Sequence, residues 1–97
     1  MDKKKQLLGL AMRAGKVVSG EENVIRAIRA GRAHLVCLSA DASANTGKKL
    51  QDKSSYYEIP LITFPSRDEL GEAIGKPSRV VVAITDPGFA RALLKHT

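Results

Sequence analysis

Lys16-Val17-Val18-Ser19-Gly20-Glu21-Glu22-Asn23-Val24-Ile25-Arg26-Ala27-Ile28-Arg29-Ala30-Gly31 reads as a short strand, a glycine turn and an amphipathic helix. Ser19 followed three residues later by Glu22 has the spacing of a capping box. In such a box the hydroxyl accepts from the Glu22 amide and the carboxylate reaches back to the Ser19 amide. Gly31 suits the left-handed residue that closes a helix. At 3.6 residues per turn Val24, Ala27 and Ile28 share one face, with Ile25 at its edge. Glu22, Arg26 and Arg29 form a stripe on the other face, and Asn23 sits on the flank of the first turn. Backbone N–H groups, an amide and two guanidinium groups thus gather at one helix start. Helix N-termini attract phosphate, and Asn and Arg side chains can read base edges with paired hydrogen bonds. The same residues also suit a capped surface helix with solvated charges.

The rest of the chain alternates around this unit. Asp2 to Ala14 reads as a helix with Leu7, Leu8, Ala11 and Met12 as its apolar stripe, Leu10 beside it and Gly15 ending it. His34 to Leu38 is nearly continuous in apolar character, as in a strand covered on both faces. A small polar loop from Ser39 to Thr46 runs into a third helix near Ala44. That helix carries Lys48, Lys49 and Lys53, with Leu50 and one of Tyr56 and Tyr57 expected to pack beneath it. Pro60 restarts the chain as the strand Leu61 to Phe64. Ser66 and Glu69 form a second capping box for a short helix through Leu70, Ala73 and Ile74. After the loop Gly75 to Arg79, Val80 to Ile84 reads as the central strand. Asp86 as cap and Pro87 at the first helical position open the last helix, with Phe89, Ala90, Leu93 and Leu94 as its buried face. This order predicts an α/β fold with helices on both faces of the sheet. No linker or repeat divides residues 1–97, which are expected to form a single domain.

Charge is unevenly spread. The 97 residues hold 16 basic and 10 acidic side chains, but residues 1–32 hold eight basic against three acidic, and residues 33–97 eight against seven. A one-sided positive field favours a polyanion partner, although a basic protein without such a partner has the same composition. The single cysteine, Cys37, excludes an internal disulfide and a cysteine-rich zinc site, and its apolar neighbours mark it as a small buried hydrophobe. No apolar stretch approaches the roughly 20 residues that span a bilayer. Arg13 and Lys16 interrupt any secretory signal, so a cytoplasmic location without a membrane partner is expected. Phe64, Phe89, Tyr56 and Tyr57 are too few to build the aromatic platforms on which single strands stack.

Several catalytic patterns fail. Thr46-Gly47-Lys48-Lys49 resembles part of a phosphate-binding loop, but Ala42 stands where the earlier glycine belongs and Lys49 where the hydroxyl belongs. No Gly-x-Gly-x-x-Gly follows a strand, so a dinucleotide site is unsupported. His34 and His96 have no patterned partner for a metal or a triad. The acid pairs Glu21/Glu22 and Asp68/Glu69 open helices, where carboxylates meet the dipole favourably. An enzyme, a metal and a cofactor are therefore not expected. What remains is the basic N-terminal third, the helix start at Gly20–Asn23, the loop Asp41–Lys49 and the loop Gly75–Arg79. Their convergence does not follow from the sequence alone.

Gly20-x-x-x-x-x-Arg26 with Gly31, then Leu35-Val36-Cys37-Leu38-Ser39-Ala40-Asp41, Ile59-Pro60 and Leu70-Gly71-Glu72-Ala73-Ile74-Gly75, resembles the L7Ae/L30e ribosomal-protein family over nearly the whole chain. Val17-Val18-Ser19-Gly20-Glu21 with Asp41-Ala42-Ser43-x-Asn45-Thr46 looks closer still to its short bacterial YlxQ-type members. The resemblance implies a three-layer α/β/α sandwich around a four-stranded mixed sheet. It also implies non-catalytic binding to kink-turn RNA, a bent helix–bulge–helix with tandem sheared G·A pairs. The expected partner is structured RNA, ribosomal RNA included, bound by a monomer associated with the ribosome.

In the family the glycine and a following Asn-Glu pair meet the guanines, and a basic residue one turn later supports them. The matching positions here are Gly20, Glu22 and Asn23, and Arg26. The loop that approaches the bulge corresponds to Gly75, Lys76 and Arg79. Glu21, Asn45 and Thr46 complete the expected RNA-binding set, with Lys16, Lys48 and Lys49 as phosphate contacts. Two departures stand out. The family's Asn-Glu order is reversed to Glu22-Asn23, and an acid at the Asn position accepts from guanine amino groups but cannot donate to O6 or N7. The final loop, Lys76-Pro77-Ser78-Arg79, lacks the branched apolar residue of many members. The reversal also favours an alternative, a protein-interaction module of the translation or transcription machinery with weak RNA binding.

Overall fold

Strands and helices alternate as the hydrophobic patterning predicts. A computed structural model of the chain describes residues 2–97. The elements are α1 (Lys3–Arg13), β1 (Val17–Ser19), α2 (Glu21–Arg29), β2 (Leu35–Ser39), α3 (Ala44–Tyr56), β3 (Leu61–Phe64), α4 (Arg67–Ala73), β4 (Val81–Ile84) and α5 (Pro87–Leu94). They build one four-stranded mixed sheet in the order β1-β4-β2-β3. β4 runs antiparallel to both β1 and β2, and β2 runs parallel to β3. The expected α/β/α sandwich is the fold observed.

Alternation across the pleat assigns the strand residues to two cores. Leu35 and Cys37 of β2, with Val82 and Ile84 of β4, face α1, α4 and α5 through Leu8, Leu70, Ala90 and Leu93. Val36 and Leu38, with Val81 and Ala83, face α2 and α3 through Val24, Ile28 and Leu50. Both faces of β2 and β4 are thus covered, which is why their sequences lack a polar alternation. Val24, Ala27 and Ile28 are fully buried, and each of the two larger ones adds about 1.5–3 kcal/mol by leaving water. Burial pushes the Cys37 thiol up to about 12, so it stays protonated and inert as a core residue.

Asp2, Ser43, Ser66 and Asp86 each cap a helix through the side chain, accepting from Lys4, Thr46, Glu69 and Phe89 amides. The expected capping box at Ser19 and Glu22 is not formed. Ser19 belongs to β1, opposite Val82, and Gly20 is the residue that starts α2, with no side-chain cap. Helix entry comes one residue later because the Gly20 carbonyl, not that of Ser19, accepts from Val24 N at 2.9 Å. Two burial expectations also fail. Tyr56 and Tyr57 are 81% and 41% exposed and stack edge-to-face on each other rather than under α3. Leu94, in the last turn of α5, is exposed.

The register gathers the turns. Gly20 N donates to Val81 O at 3.1 Å, Ser39 N to Val80 O at 2.8 Å, and Ala40 N to Phe64 O at 2.8 Å. The ends of β1, β2 and β3 and the start of β4 therefore meet at one end of the sheet. No helix among the described residues is long and apolar enough to cross a membrane.

Candidate nucleic-acid interface

At that sheet end the chain leaves β1 through Gly20, whose φ of 95° and ψ of 147° lie where only glycine is unstrained. A Cβ there would meet nothing closer than Asn23 Nδ2 at 4.0 Å. Glycine is thus required by backbone conformation, not by crowding. No side chain caps α2, so its first-turn N–H groups have no side-chain acceptor.

Asn23 turns back on the entry. Its Nδ2 donates to Ser19 O at 3.0 Å, and its Oδ1 lies 3.4 Å from an Arg26 guanidinium nitrogen that donates to it. Asn23 thereby fastens the strand end to the helix. Glu22 beside it is exposed.

Glu21 points the other way, toward α3. Thr46 Oγ1 donates to one carboxylate oxygen at 2.9 Å, and Lys49 Nζ donates to the other at 2.8 Å. The Lys49 ammonium, then the Thr46 hydroxyl, hold the Glu21 carboxyl below its ordinary range. This clamp sets α3 beside α2 and leaves between them a groove of about 630 Å³ lined by Glu22, Arg26, Arg29, Lys49 and Lys53 among others. Arg29 and Lys53 were not among the expected site residues. Their spacing held the signal: Arg29 is three residues after Arg26 and Lys53 four after Lys49, so each pair shares a helix face.

The other expected residues are spread more widely. Asn45 is exposed in the first turn of α3, while Lys48 pairs with Asp52 at 3.3 Å. Arg79 N donates to Arg67 O at 3.0 Å, and its guanidinium donates to Ser78 O at 2.9 Å. Arg67 in turn is held by Asp41, which accepts its amide at 3.0 Å. Arg79 thus sits at the start of β4, two residues before the carbonyl that receives Gly20 N. Lys76 N donates to Gly71 O at 3.0 Å, which keeps it with α4. Gly75 lies past the end of α4, in a groove shared with α1. Lys16 precedes β1, its carbonyl accepting Thr85 N, so the length of the strand separates it from Gly20. The structure gathers Gly20 to Asn23, Arg26, Thr46 and Lys49, and does not bring Lys16 or Gly75 to them.

The arrangement offers one uncapped helix start, one exposed carboxylate acceptor and a run of guanidinium and ammonium donors. Such groups suit phosphates and the edges of unpaired or non-Watson–Crick bases. Among the described residues no group of three His, Cys, Asp or Glu side chains is placed to hold a metal ion.

Comparison with known proteins follows the same lines. The sequence model of the "Ribosomal protein L7Ae/L30e/S12e/Gadd45 family" matches residues 2–94. The "RNA-binding protein YlxQ" of Bacillus subtilis (strain 168) is 59% identical over 88 residues, covering 91% of this chain and 88% of that protein. The "Large ribosomal subunit protein eL30" of Methanosphaera stadtmanae is 34% identical over 86 residues, covering 87% and 88%. A solved structure of a protein with unknown function from Bacillus halodurans C superposes with a TM-score of 0.95 at 46% identity, covering 98% of this chain and 96% of that one.

Proposed function

The chain belongs to the ribosomal protein L7Ae/L30e/S12e/Gadd45 family, and from that membership we propose that it is a non-catalytic, cytoplasmic RNA-binding protein that recognises kink-turn-like RNA. The observation that carries the reading is the start of α2. It combines the glycine-only turn at Gly20 and an absent side-chain cap with the exposed Glu22 and a groove lined by Arg26, Arg29 and Lys53. The names of the YlxQ and eL30 relatives support RNA, ribosomal RNA included, as the partner.

In this mechanism the RNA arrives already bent, and the protein reads its shape. The helix start approaches the sheared pairs, where Glu22 accepts from guanine amino groups. Arg26 donates to a base edge or phosphate one turn along. Arg29, Lys53 and Arg79 supply salt-sensitive attraction to the flanking backbone. Glu21, Thr46 and Asn23 hold this surface in shape.

The test is a titration of a kink-turn RNA, and of a version whose sheared G·A pairs are replaced by Watson–Crick pairs, over a series of salt concentrations. Preferential binding of the intact kink-turn is expected. The slope of log K on log salt should match roughly three to six phosphate contacts at about 0.7–0.9 each. Equal affinity for the two RNAs, or a flat salt response from folded protein, would overturn the reading.

A further inference from the structure

The basic run at the N-terminus is not used by the α2 groove. α1 and α5 pack on the opposite face of the sheet from α2 and α3. Neither contains a carboxylate, and together they carry Lys3, Lys4, Lys5, Arg13 and Arg91. The flanking Asp2 and Asp86 are occupied as helix caps. Lys5 is paired with Glu69 at 2.9 Å and Lys4 lies over the Phe64 ring. Lys3, Arg91 and Lys95 are exposed. They line a single groove of about 420 Å³ between the two helices, with Leu7 and His96 beside them. No salt bridge joins these three cations to a carboxylate among the described residues.

We propose that this α1–α5 face is a second surface for an RNA phosphate backbone, so that one molecule holds two RNA segments on opposite sides of its sheet. The choice of RNA as the polyanion rests on the function proposed above; the existence of the surface does not. Unpaired cations converging on one groove create a local positive potential that a row of phosphates relieves by releasing counterions. A lipid surface fits less well. Interfacial helices need a broad apolar face turned outward, whereas Leu8 and Ala11 of α1 and Ala90 and Leu93 of α5 are buried in the core, leaving one exposed large apolar side chain on each helix, Leu10 and Leu94. A kink-turn seated at α2 leaves this groove open, because the sheet lies between the two layers of a body measuring 32 × 26 × 21 Å.

The test uses two labelled probes, a kink-turn RNA and an unbulged RNA duplex of about 16 base pairs, the span a duplex-binding module covers. Protein saturated with the kink-turn is titrated with the duplex. A ternary complex is expected, with a salt slope of about 2–3 for the duplex step. The Lys3→Gln/Arg91→Gln/Lys95→Gln triple variant should bind the duplex at least about tenfold more weakly and shift kink-turn affinity less than about threefold. Arg91→Gln alone, a milder change, should weaken duplex binding about threefold or more. Arg26→Ala should show the converse pattern. The proposal is overturned if the duplex displaces the kink-turn. It is likewise overturned if the triple variant binds duplex as the wild type does, or if phosphatidylglycerol vesicles engage the three residues and duplex RNA does not. Loss of kink-turn preference with duplex binding still dependent on Lys3, Arg91 and Lys95 would sink the α2 reading and leave this one standing.

Discussion

Glu21 and Lys49 meet at 2.8 Å across the boundary between α2 and α3, and Thr46 takes the other Glu21 oxygen at 2.9 Å. An acid in the middle of a basic surface thus acts inward. It orients the second helix of the groove and draws Lys49 toward the protein, leaving Arg26, Arg29 and Lys53 as the groove's cations without a salt-bridge partner among the described residues.

The first prediction concerns that clamp. Glu21→Gln keeps a partner for Thr46 but frees the Lys49 ammonium. Its cost in stability should be below about 1 kcal/mol, because the pair is solvent-screened. RNA affinity at low salt should rise, by up to about eightfold if Lys49 gains a phosphate contact. The pH dependence has a definite sign. A carboxyl depressed in the fold adds stability that is present above its unfolded pKa and is lost as pH falls through its folded value. The Tm gap between wild type and Glu21→Gln should be level from about pH 6 to 8 and close below about pH 4. Thermal melts across that range decide it; a gap that widens in acid would contradict the clamp.

A second prediction follows from the backbone at Gly20. An alanine has space there, with only Asn23 Nδ2 at 4.0 Å, yet must adopt a φ of 95°. The strain should cost about 1–3 kcal/mol, or roughly 4–8 °C in Tm for each kcal/mol at this size. A melting temperature unchanged by Gly20→Ala would show that the turn relaxes freely.

Most of the fold was legible because the patterns were local. The continuous apolar runs of β2 and β4 announced strands covered on both faces, and Ser66 and Asp86 cap the helices they were expected to cap. Ser19 misled because its three-residue spacing to Glu22 is a local signal overridden by a nonlocal one, pairing with Val82 in the sheet. The site was legible only in outline. Lys16 and Gly20 are four residues apart in sequence, yet an extended strand carries them to opposite sheet ends. Glu21 and Lys49 are 28 residues apart, and nothing in the sequence pairs them. Register decides both, and register is a property of the assembled sheet.

Gly71 gives the third prediction. A Cβ on this buried helix residue would lie 2.1 Å from Pro77 O and 2.9 Å from Ser78 Cα. Both are backbone atoms, so α4 or the loop through Lys76 must move. Gly71→Ala should destabilise by about 1–3 kcal/mol or more through overpacking and displace Arg79 from Arg67. Melting temperature and kink-turn affinity should fall together. A fall in neither would mean that the loop packs elsewhere.

Arg26 supplies a fourth. It is exposed and opposite the buried Val24 and Ile28, and its bond to Asn23 is long, at 3.4 Å. Arg26→Ala should leave unfolding stability within about 0.5 kcal/mol of wild type and weaken RNA binding by about 1–3 kcal/mol if it contacts a base in bidentate fashion. A large stability loss with unchanged affinity per folded molecule would make Arg26 structural.

Glu22 carries the sharpest test. With Ser19 in the strand, the reciprocal capping role for Glu22 is gone, and the Asn23 amide is committed to Ser19 O. The Glu22 carboxylate is therefore the open acceptor at the helix start. Glu22→Gln removes its charge and keeps its shape, so stability should change by at most about 0.5–1 kcal/mol through the helix dipole. Two effects on RNA oppose each other. Loss of the negative charge reduces repulsion from phosphate for every RNA alike. Loss of a charge-assisted hydrogen bond to guanine amino groups, roughly twice as strong as a neutral one, acts only where those groups are presented. Affinity alone cannot separate these effects, but the ratio of affinities for an intact kink-turn and its Watson–Crick-repaired version can. That ratio should fall by about fivefold in Glu22→Gln, corresponding to about 1 kcal/mol of lost hydrogen-bond strength. A ratio equal to that of wild type would remove Glu22 from recognition and leave the backbone at Gly20 and a reoriented Asn23 to read the sheared pairs.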